Sequence, residues 1–329
     1  MCRKKASKFV YIAVLLALLM GCTAPGTSGQ PLRRSALLMD TVVTVSLYGG
    51  GDEALIQACF DKCREYELIF SRTDPDSELY ALNRAGSMEV SEELLSVIET
   101  ALEYCEYSGG AFDITMGAVS DLYAFSSERP RVPEEGALAE ALCHVGYEKI
   151  LVEGSRVTLT DPEAVIDLGA VAKGYIADRL AEFLAQQGQE SAVIDLGGNI
   201  RCVGSRPEGS GFRIGIQFPF KSRSETIGIV EVRGSSVVTS GVYERSFEAD
   251  GVFYHHILDP DTGLPVQNDL AAVSILSPLS VDGDALSTVC FALGLEEGLA
   301  LIHSLEGVSA VFITEDMEIH CSDGFAGFV

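Results

Sequence analysis

A short segment that changes from a strand pattern to a helix pattern constrains this chain most. Residues 165–175 read Val-Ile-Asp-Leu-Gly-Ala-Val-Ala-Lys-Gly-Tyr, which predicts an apolar strand, a glycine turn and a helix start. Small residues let the backbone approach a ligand, and the first N–H groups of a helix can bind phosphate. Lys173 adds a positive charge. The segment has neither GxGxxG nor GxxxxGK(S/T), which excludes the Rossmann and P-loop interpretations. Taken alone, a glycine turn into a helix is more often plain architecture than a binding site.

A second glycine turn follows another apolar strand pattern. It reads Asp195-Leu196-Gly197-Gly198-Asn199. Two such turns favour a polar crevice lined by backbone, although each alone also fits a tight turn.

Two oxygen-bearing side chains stand four residues apart at the predicted start of a helix. Asp284 and Thr288 therefore project from one face. A carboxylate and a hydroxyl are hard ligands that suit Mg²⁺, which usually keeps waters and substrate oxygens as its other ligands. The alternative is that Asp284 only favours the positive end of the helix.

Adjacent histidines end a strand pattern before a Pro/Gly turn. On a strand, one of His255 and His256 faces inward and the other outward. The inward histidine is either a base or a satisfied core residue.

The periodicity of the chain predicts helices and strands in separate runs. Helices are predicted at 53–70, 94–107 with Ser91 as N-cap, 171–187, 284–293 and 296–305. Strands are predicted at 42–48, 157–160, 164–168, 192–196, 212–217, 228–232, 237–239, 271–276, 310–314 and 318–321. This order favours the α+β class.

The N-terminus has the pattern of an exported lipoprotein. Positive charges precede an apolar run at residues 9–20, which is shorter than the roughly 20 residues of a membrane span. The run ends in Leu19-Met20-Gly21-Cys22, a lipobox pattern that predicts cleavage and lipidation at Cys22. We therefore predict a signal peptide at 1–21, a flexible tether at 22–36 and one domain at 37–329. No later segment is predicted to span a membrane.

The charge and cysteine content exclude two kinds of site. The net charge of −25 argues against a nucleic-acid-binding surface, which needs clustered Lys and Arg. The cysteines form no CxxC or CxxH pair and so predict no zinc site. Most are expected to be buried thiols.

The motifs together resemble the ApbE family of flavin transferases. The resemblance rests on Asp167–Gly174, Asp195–Asn199, His256–Ile257, Asp259–Pro260, Thr262–Gly263 and Asp284–Thr288, with Phe70–Ser71, Ser77–Glu78, Asn83, Gly109–Asp113 and Ser240–Arg245 as further blocks. Their order and spacing match from about Leu38 to the C-terminus. The family implies an α+β fold of mixed or antiparallel sheets with flanking helices, and FAD in a crevice between lobes.

The resemblance also implies a set of site residues. FAD would contact Met39, Ala111, Phe112, Asp113, Asp167, Lys173 and Ile257. Mg²⁺ would be held by the carbonyl of Ala170 and by Asp284 and Thr288. His256 is the expected base, and Asp284 is the second catalytic residue.

The chain departs from the family pattern at two places. Asp40 stands where the family's Met-Gly-Thr block has glycine, which affects the backbone near the flavin. Thr73 stands where many members carry an aromatic residue against the flavin, and Tyr80 is a possible substitute.

The implied activity is Mg²⁺-dependent transfer of FMN from FAD to a protein threonine, with release of AMP. The implied acceptors are exported subunits of Rnf-type and Nqr-type oxidoreductases and FMN-binding domain proteins. Lipidated Cys22 would tether the enzyme to the extracytoplasmic side of a bacterial membrane, which raises the effective concentration of enzyme and acceptor. The same residues would also suit an FAD pyrophosphatase, and a flavin-binding lipoprotein without catalysis is a third interpretation.

Overall fold

The computed structural model describes residues 30–222 and 224–325. The predicted signal peptide and Cys22 lie outside the described residues. The sequence predicts a tether up to residue 36, but β1 spans Leu32–Leu38 and pairs with β2, Thr41–Leu47. The tether boundary is therefore too late by several residues, because residues 32–36 complete a hairpin.

Three of the seven α-helices in the described residues begin at a side-chain cap. The seven helices are α1 Glu53–Phe70, α2 Glu78–Ala85, α3 Glu92–Tyr107, α4 Gly117–Tyr123, α5 Glu135–Leu142, α6 Ala172–Gln186 and α7 Ser280–Ser304. Asp52, Ser77 and Ser91 each accept a hydrogen bond from the third N–H of α1, α2 and α3. The predicted Ser91 cap is thus present.

The remaining strands build one large sheet and three small ones. They are β3 Ser87–Glu89, β4 Ile150–Glu153, β5 Arg156–Leu159, β6 Ser191–Leu196, β7 Asn199–Gly204, β8 Phe212–Gln217, β9 Thr226–Val232, β10 Ser236–Gly241, β11 Ser246–Ala249, β12 Val252–His255, β13 Leu270–Ser277, β14 Ser309–Thr314 and β15 Ile319–Cys321. The large sheet has the order β1-β2-β6-β7-β10-β13-β14-β15, with antiparallel neighbours. The predicted α+β class is confirmed.

Both faces of the large sheet are covered. Val43, Val45 and Leu47 of β2 are buried in the core that the sheet shares with α1, α6 and α7. On the other face, the β8–β9 ribbon inserts Phe212 and Ile214 into a second core cluster. The helical face carries the N-terminal ends of α6 and α7, which contain Lys173 and Asp284.

Two tight turns meet at one end of this sheet. Met39 and Asp40 close the β1–β2 hairpin with φ angles of 51° and 56°, and Gly197 and Gly198 close β6–β7 with φ angles of 71° and 105°. Positive φ at both central residues is the two-residue hairpin geometry. A Cβ on Gly197 would lie 2.0 Å from Oγ1 of Thr41, so this turn requires glycine.

One predicted strand is wrong. Residues 164–168 are not a strand, and only an isolated bridge joins Val165 to Met116. The side chain of Asn83 takes the place of a neighbouring strand, because it accepts from the N–H of Ile166 and donates to its carbonyl, both at 2.9 Å.

The helix that carries Asp284 begins one turn earlier than predicted. α7 starts at Ser280 and is broken at Gly294, where φ is 81° and ψ is −177°. The two predicted helices are its two halves. By length and composition α7 could cross a membrane, which the sequence analysis does not predict after residue 21. Here it packs against α6, β10 and β13 as a core helix.

Candidate active site

The carboxylate of Asp284 caps the first turn of α6 from another helix. Val171 at the N-cap position has no side-chain oxygen, so the N–H of Gly174 needs an external acceptor. It donates to Oδ2 of Asp284 at 2.8 Å. A regular turn would send this N–H four residues back to Ala170, so the carbonyl of Ala170 keeps its lone pairs for another partner. Asp284 is buried and lies in the second turn of α7, which begins at Ser280. Its carboxylate binds the start of α6, so the alternative that it favours the N-terminus of its own helix is wrong.

Lys173 points its ammonium group at the same place. Nζ donates to the carbonyl of Gly169 at 2.9 Å and lies 3.8 Å from Oδ1 of Asp284. The side chain is about one-third exposed. It therefore offers a positive charge to an incoming anion while its position is fixed.

Thr288 lies one helical turn beyond Asp284. Its Oγ1 is 3.2 Å from Oγ of Ser240, at the end of β10, and Ser240 also contacts Oγ of Ser287 at 2.7 Å. Ser287 in turn donates to the carbonyl of Asp284 at 2.9 Å. A hydroxyl network thus holds Thr288 beside the predicted metal position.

A buried carboxylate joins α6 to the start of α7. Oδ2 of Asp178 accepts from the N–H groups of Ser280 at 2.8 Å and Val281 at 3.0 Å. Its Oδ1 accepts from Nε of Arg201 at 2.8 Å. Burial raises the pKa of Asp178, and these donors oppose that shift. Asp178 therefore sets the position of the helix that carries Asp284 and Thr288.

The absence of a side chain at Gly174 allows this approach of the helices. A Cβ there would lie 2.4 Å from the carbonyl oxygen of Ser280 and 2.6 Å from Cα of Val281. Both are backbone atoms that cannot rotate away. The glycine is needed for helix packing as well as for the turn.

The carboxylate of Asp113 is already engaged within its own loop. Oδ1 accepts from the N–H and the hydroxyl of Thr115 at 2.7 and 2.6 Å, and Oδ2 accepts from the N–H of Tyr147 at 2.8 Å. Burial raises its pKa against these hydrogen bonds. Asp113 thus shapes the loop that carries half-buried Ala111 and buried Phe112.

Asp167 links that loop to the glycine turn. Its N–H donates to the carbonyl of Ile114 at 2.7 Å, and its Oδ1 accepts from the N–H of Gly169 at 2.9 Å. Arg72 binds Oδ2 of Asp167 at 2.7 Å and Oδ1 of Asp121 at 2.6 Å. Two segments that the sequence assigns to FAD binding are thus adjacent.

Of the two histidines, His255 is the core residue. It is 6 % exposed, its Nε2 lies 3.3 Å from the carbonyl of Val266, and its ring meets Phe291 edge-on at 5.8 Å. Burial lowers its pKa to about 4. The inward-facing histidine of the strand is therefore a packing residue.

His256 follows β12 and lies among positive charges. Its N–H donates to the carbonyl of Arg245 at 3.1 Å, and its Nδ1 is enclosed without a hydrogen-bond partner among the described residues. Burial, with the charges of Arg245 and Lys173, lowers its pKa to about 3. The ring is neutral at pH 7 and able to accept a proton. Ile257 beside it is buried in the main core.

The two departures from the family pattern lie at accessible positions. Met39 is half-buried against the core, and exposed Asp40 adopts a positive φ that Asp tolerates better than most residues. Thr73 is exposed and its hydroxyl is 3.4 Å from that of Ser71. Among the described residues, no hydrogen bond joins Met39 to Asp284 or Lys173.

Comparisons with known proteins agree with this arrangement. The ApbE family model matches residues 39–312. The chain belongs to the ApbE family. An FAD:protein FMN transferase of Treponema pallidum is 36 % identical to this chain, in an alignment that covers 98 % of this chain and 95 % of the relative. An FAD:protein FMN transferase of Klebsiella pneumoniae is 35 % identical, and that alignment covers 87 % of this chain and 90 % of the relative.

Solved ApbE structures have the same fold. The flavin transferase ApbE from Vibrio cholerae matches with a TM-score of 0.81 and 28 % identity, over 91 % of this chain and 99 % of that one. The ApbE protein of Thermotoga maritima matches with a TM-score of 0.82 and 30 % identity, over 90 % and 98 %. The predicted family and the transferase class are confirmed.

The residues of this ApbE member fit a hard divalent cation that also binds substrate. The described residues contain no group of three or more His, Cys, Asp or Glu side chains suited to a metal. Asp284, Thr288 and the spared carbonyl of Ala170 supply oxygen ligands only. Such an incomplete oxygen set suits Mg²⁺ with water and phosphate oxygens, and does not suit zinc.

Three residues that organise this ApbE site were not identified from sequence. Arg72, Asp178 and Arg201 look like ordinary surface charges in their local patterns. Each acts through a partner that is distant in the chain. Arg72 binds Asp167, Asp178 binds the start of α7, and Arg201 binds Asp178. Of the three, only Asp178 had a signal in the sequence, because it is a charged residue at a helix position predicted to be buried.

Proposed function

We propose that this chain is an Mg²⁺-dependent FAD:protein FMN transferase. The observation that carries the proposal is the meeting of Asp284 with the first turn of α6. There a carboxylate and a lysine ammonium converge at a helix N-terminus, next to the glycine turn that contains Ala170. This combination suits a diphosphate and a cation.

The residues have separate tasks in this proposal. Ala170, Asp284 and Thr288 would hold Mg²⁺, which supplies charge neutralisation and Lewis acidity at the diphosphate. Lys173 binds the diphosphate oxygens at the N-terminal end of α6, where its ammonium group lies 3.8 Å from Oδ1 of Asp284. Asp178 and Gly174 fix the distance between the two helices.

The transferred group moves from one oxygen to another. The hydroxyl oxygen of an acceptor threonine forms a bond with the phosphorus of the FMN half. The bond from that phosphorus to the bridging oxygen breaks, and AMP leaves with the bonding electrons. The proton of the hydroxyl passes to a ring nitrogen of His256. Because phosphoryl transfer depends mostly on positioning and charge, few catalytic side chains are needed.

The low pKa of His256 has a specific meaning for this step. A base with a pKa of about 3 is weak at neutral pH. Anionic diphosphate bound near Lys173 would offset the positive charges that contribute to the low value. Burial is the larger cause and would remain, so substrate binding would raise the pKa of His256 only in part.

The loop around Asp113, the turn at Asp167, Met39 and Ile257 would hold the rest of FAD. We further propose that the acceptors are exported redox proteins, such as Rnf-type and Nqr-type subunits and FMN-binding domain proteins. Lipidation at Cys22 would place enzyme and acceptor on one extracytoplasmic membrane surface.

The test is a transfer assay with the full-length chain in detergent. FAD, Mg²⁺ and an FMN-binding domain protein with its acceptor threonine are mixed, and the acceptor is weighed by intact mass spectrometry. The expected result is a gain of one FMN mass, abolished by EDTA and by replacing the acceptor threonine with valine. Free FMN and AMP without a labelled acceptor would instead indicate a pyrophosphatase, and intact bound FAD would indicate a carrier.

The role of His256 is tested with His256→Ala. We expect loss of transfer with FAD binding retained, because the base and the FAD contacts are different groups. Transfer at the wild-type rate would eliminate His256 as the base.

A further inference from the structure

A small cavity lies where the β8–β9 ribbon covers the large sheet. Its volume is about 130 Å³, and its lining comes from β1, β2, β6, β7 and β8 and from the segments that follow β2 and β7. Sites for larger ligands usually have roughly 300–1,000 Å³, whereas one water takes roughly 30 Å³. The cavity therefore admits a small ion and is too small for FAD.

The cavity and the candidate active site lie on opposite faces of the sheet. Val43 and Val45 of β2 are buried in the core that the sheet shares with the helices. Thr44 and Ser46 alternate with them along the strand and line the cavity. The sheet therefore separates a ligand in the cavity from Asp284, and the cavity is not part of the site described above.

Ser46 presents a hydroxyl without a partner to this cavity. The residue is 6 % exposed, and its hydroxyl forms no hydrogen bond with another described residue. Thr44, which is 5 % exposed, differs because its Oγ1 lies 2.9 Å from Oγ of Ser35. Buried polar groups nearly always have a hydrogen-bond partner. The hydroxyl of Ser46 therefore marks a position at which a bound molecule would be held.

Three arginines surround the same cavity. Arg33 lies directly opposite Ser46 in the β1–β2 pairing, so the two side chains share one face of the sheet. The guanidinium of Arg206 lies over the ring of Tyr48, 5.6 Å from its centroid, which fixes its position. Arg213 enters from β8. Arg33 and Arg213 are exposed and form no ion pair with a described residue, so their charges are available to a ligand.

Few negative charges compensate these arginines. Asp195 is the one acidic residue in the lining, and its Oδ1 already accepts from the N–H of Gly198 at 2.9 Å. Glu208 lies 3.7 Å from Arg206, and Glu231, which is paired with Arg213 in the ribbon, binds Arg233 at 2.7 Å. The lining thus carries three positive charges against one negative charge, in a chain with a net charge of −25. Such a local excess attracts anions.

We propose that this cavity is a binding site for a phosphate group. Guanidinium groups match the geometry of phosphate oxygens and bind them with charge-assisted hydrogen bonds. The hydroxyl of Ser46 supplies one more donor at the floor of the cavity. Inorganic phosphate and the headgroup of a phospholipid offer the same group, and experiment separates them. The proposal does not depend on the proposed transferase function, because the cavity and the candidate active site share no residue.

The test measures phosphate binding to the full-length chain in detergent by isothermal titration calorimetry at constant ionic strength. It compares Arg33→Gln with Arg34→Gln. Both variants lose one positive charge from β1, but Arg34 points to the other face and pairs with Glu53. We expect Arg33→Gln to raise the Kd for inorganic phosphate at least about tenfold, since the bonds that it removes are charge-assisted. Arg34→Gln should change it less than about twofold. Equal Kd values for the two variants would overturn the proposal.

Ser46→Ala tests the floor of the cavity. The change removes a hydroxyl that has no partner in the chain, so the fold should be kept, and we expect the Kd for phosphate to rise about five- to tenfold. An unchanged Kd would mean that the anion binds elsewhere and would overturn the proposal. FAD affinity is the control and should be the same in all variants.

The source of the phosphate group is tested with two probes on the wild-type chain. These are inorganic phosphate and glycerophosphoglycerol, the water-soluble headgroup of phosphatidylglycerol. Tighter binding of the first supports a site for free phosphate, and tighter binding of the second supports a site for a lipid headgroup. If neither probe binds at millimolar concentration, the proposal is wrong, whatever the outcome of the transfer assay.

Discussion

The N–H of Gly174 in α6 donates a 2.8 Å hydrogen bond to the carboxylate of Asp284 in α7, 110 residues later in the chain. This bond completes the first turn of α6 and leaves the carbonyl of Ala170 available. One oxygen of Asp284 is therefore structural, and the other, 3.8 Å from Lys173, is open to a ligand. This division allows the structural and chemical roles of Asp284 to be tested separately.

Asp284→Asn keeps an oxygen that can accept from Gly174 but removes the negative charge. We expect transfer at fixed Mg²⁺ to fall about 100-fold or more, since even groups that only support a metal ligand contribute 10- to 100-fold. Thermal stability should change little. Measuring the rate against Mg²⁺ concentration for both proteins checks this, and an unchanged Mg²⁺ dependence would refute the metal assignment.

Gly174→Ala should destabilise the protein by about 1–3 kcal/mol, because overpacking forces the backbone of α7 to move. The added Cβ would lie 2.4 Å from the carbonyl oxygen of Ser280. Gly136→Ala is the control, because its Cβ would meet nothing within 4 Å in α5. That change should stabilise by about 0.5–1 kcal/mol. Urea unfolding distinguishes the two, and equal effects would contradict the packing argument.

Asp178→Ala should cost about 3–5 kcal/mol, because it leaves Arg201 and two N–H groups at the start of α7 without their partner. The control on the same helix is Glu182→Ala, whose ion pair with Arg179 is exposed. Such a pair contributes at most about 1 kcal/mol. Urea unfolding gives the two free energies. A small loss in Asp178→Ala would mean that α7 is held by other contacts.

The stability of the fold should depend on pH through His255. Its pKa is about 4 in the folded chain against an ordinary value of 6.5, so the unfolded chain binds more protons between these values. This contribution is fully present above pH 6.5 and is lost as pH falls toward 4, by up to about 3 kcal/mol.

His255→Phe should make this part of the curve of unfolding free energy against pH less steep, and His256, whose pKa is lowered to about 3, accounts for the slope that remains. His303→Gln, at a half-exposed position on α7, serves as the control and should keep the wild-type slope. If His255→Phe keeps that slope, the acid sensitivity comes from other groups.

Local sequence patterns predicted most elements of this fold. Alternating or apolar runs located β2, β6, β8 and β13 to within two residues. Helical spacing located α1, α3 and α6 equally well, with Ser91 as the N-cap of α3. The helices and β8 alternate between buried and exposed residues, so their periodicity carries the signal, whereas β13 is buried along almost its whole length and is marked by its apolar composition. The strand pattern that ends at the histidines corresponds to β12. The short strands β3 and β11 were not predicted, because three or four residues show little of a period.

Long-range polar contacts explain the remaining differences. Residues 164–168 have the composition of a strand, but the partner of Ile166 is the side chain of Asn83. Asp284 was assigned to a helix start, although the helix begins at Ser280. The actual start is fixed by Asp178, about 100 residues earlier in the chain. No local pattern reveals an acceptor that distant.

The candidate site was predicted through family resemblance more than through chemistry. Asp284, Thr288, Lys173 and Ala170 were named, and the structure brings Asp284, Lys173 and the turn at Ala170 together. The separate roles of His255 and His256 could not be assigned from strand parity, because His256 lies just beyond the end of β12.

The hairpin turn at Met39 and Asp40 sets a strict limit on insertions. It contains two residues, and the equally short turn at Gly197 and Gly198 lies against Thr41. One added residue in the first turn would shift the register of β1 and move each of its side chains to the opposite face of the sheet. This end of the molecule therefore requires a fixed residue count while accepting Asp in place of glycine. Attempts to graft peptides or tags into the enzyme should avoid it.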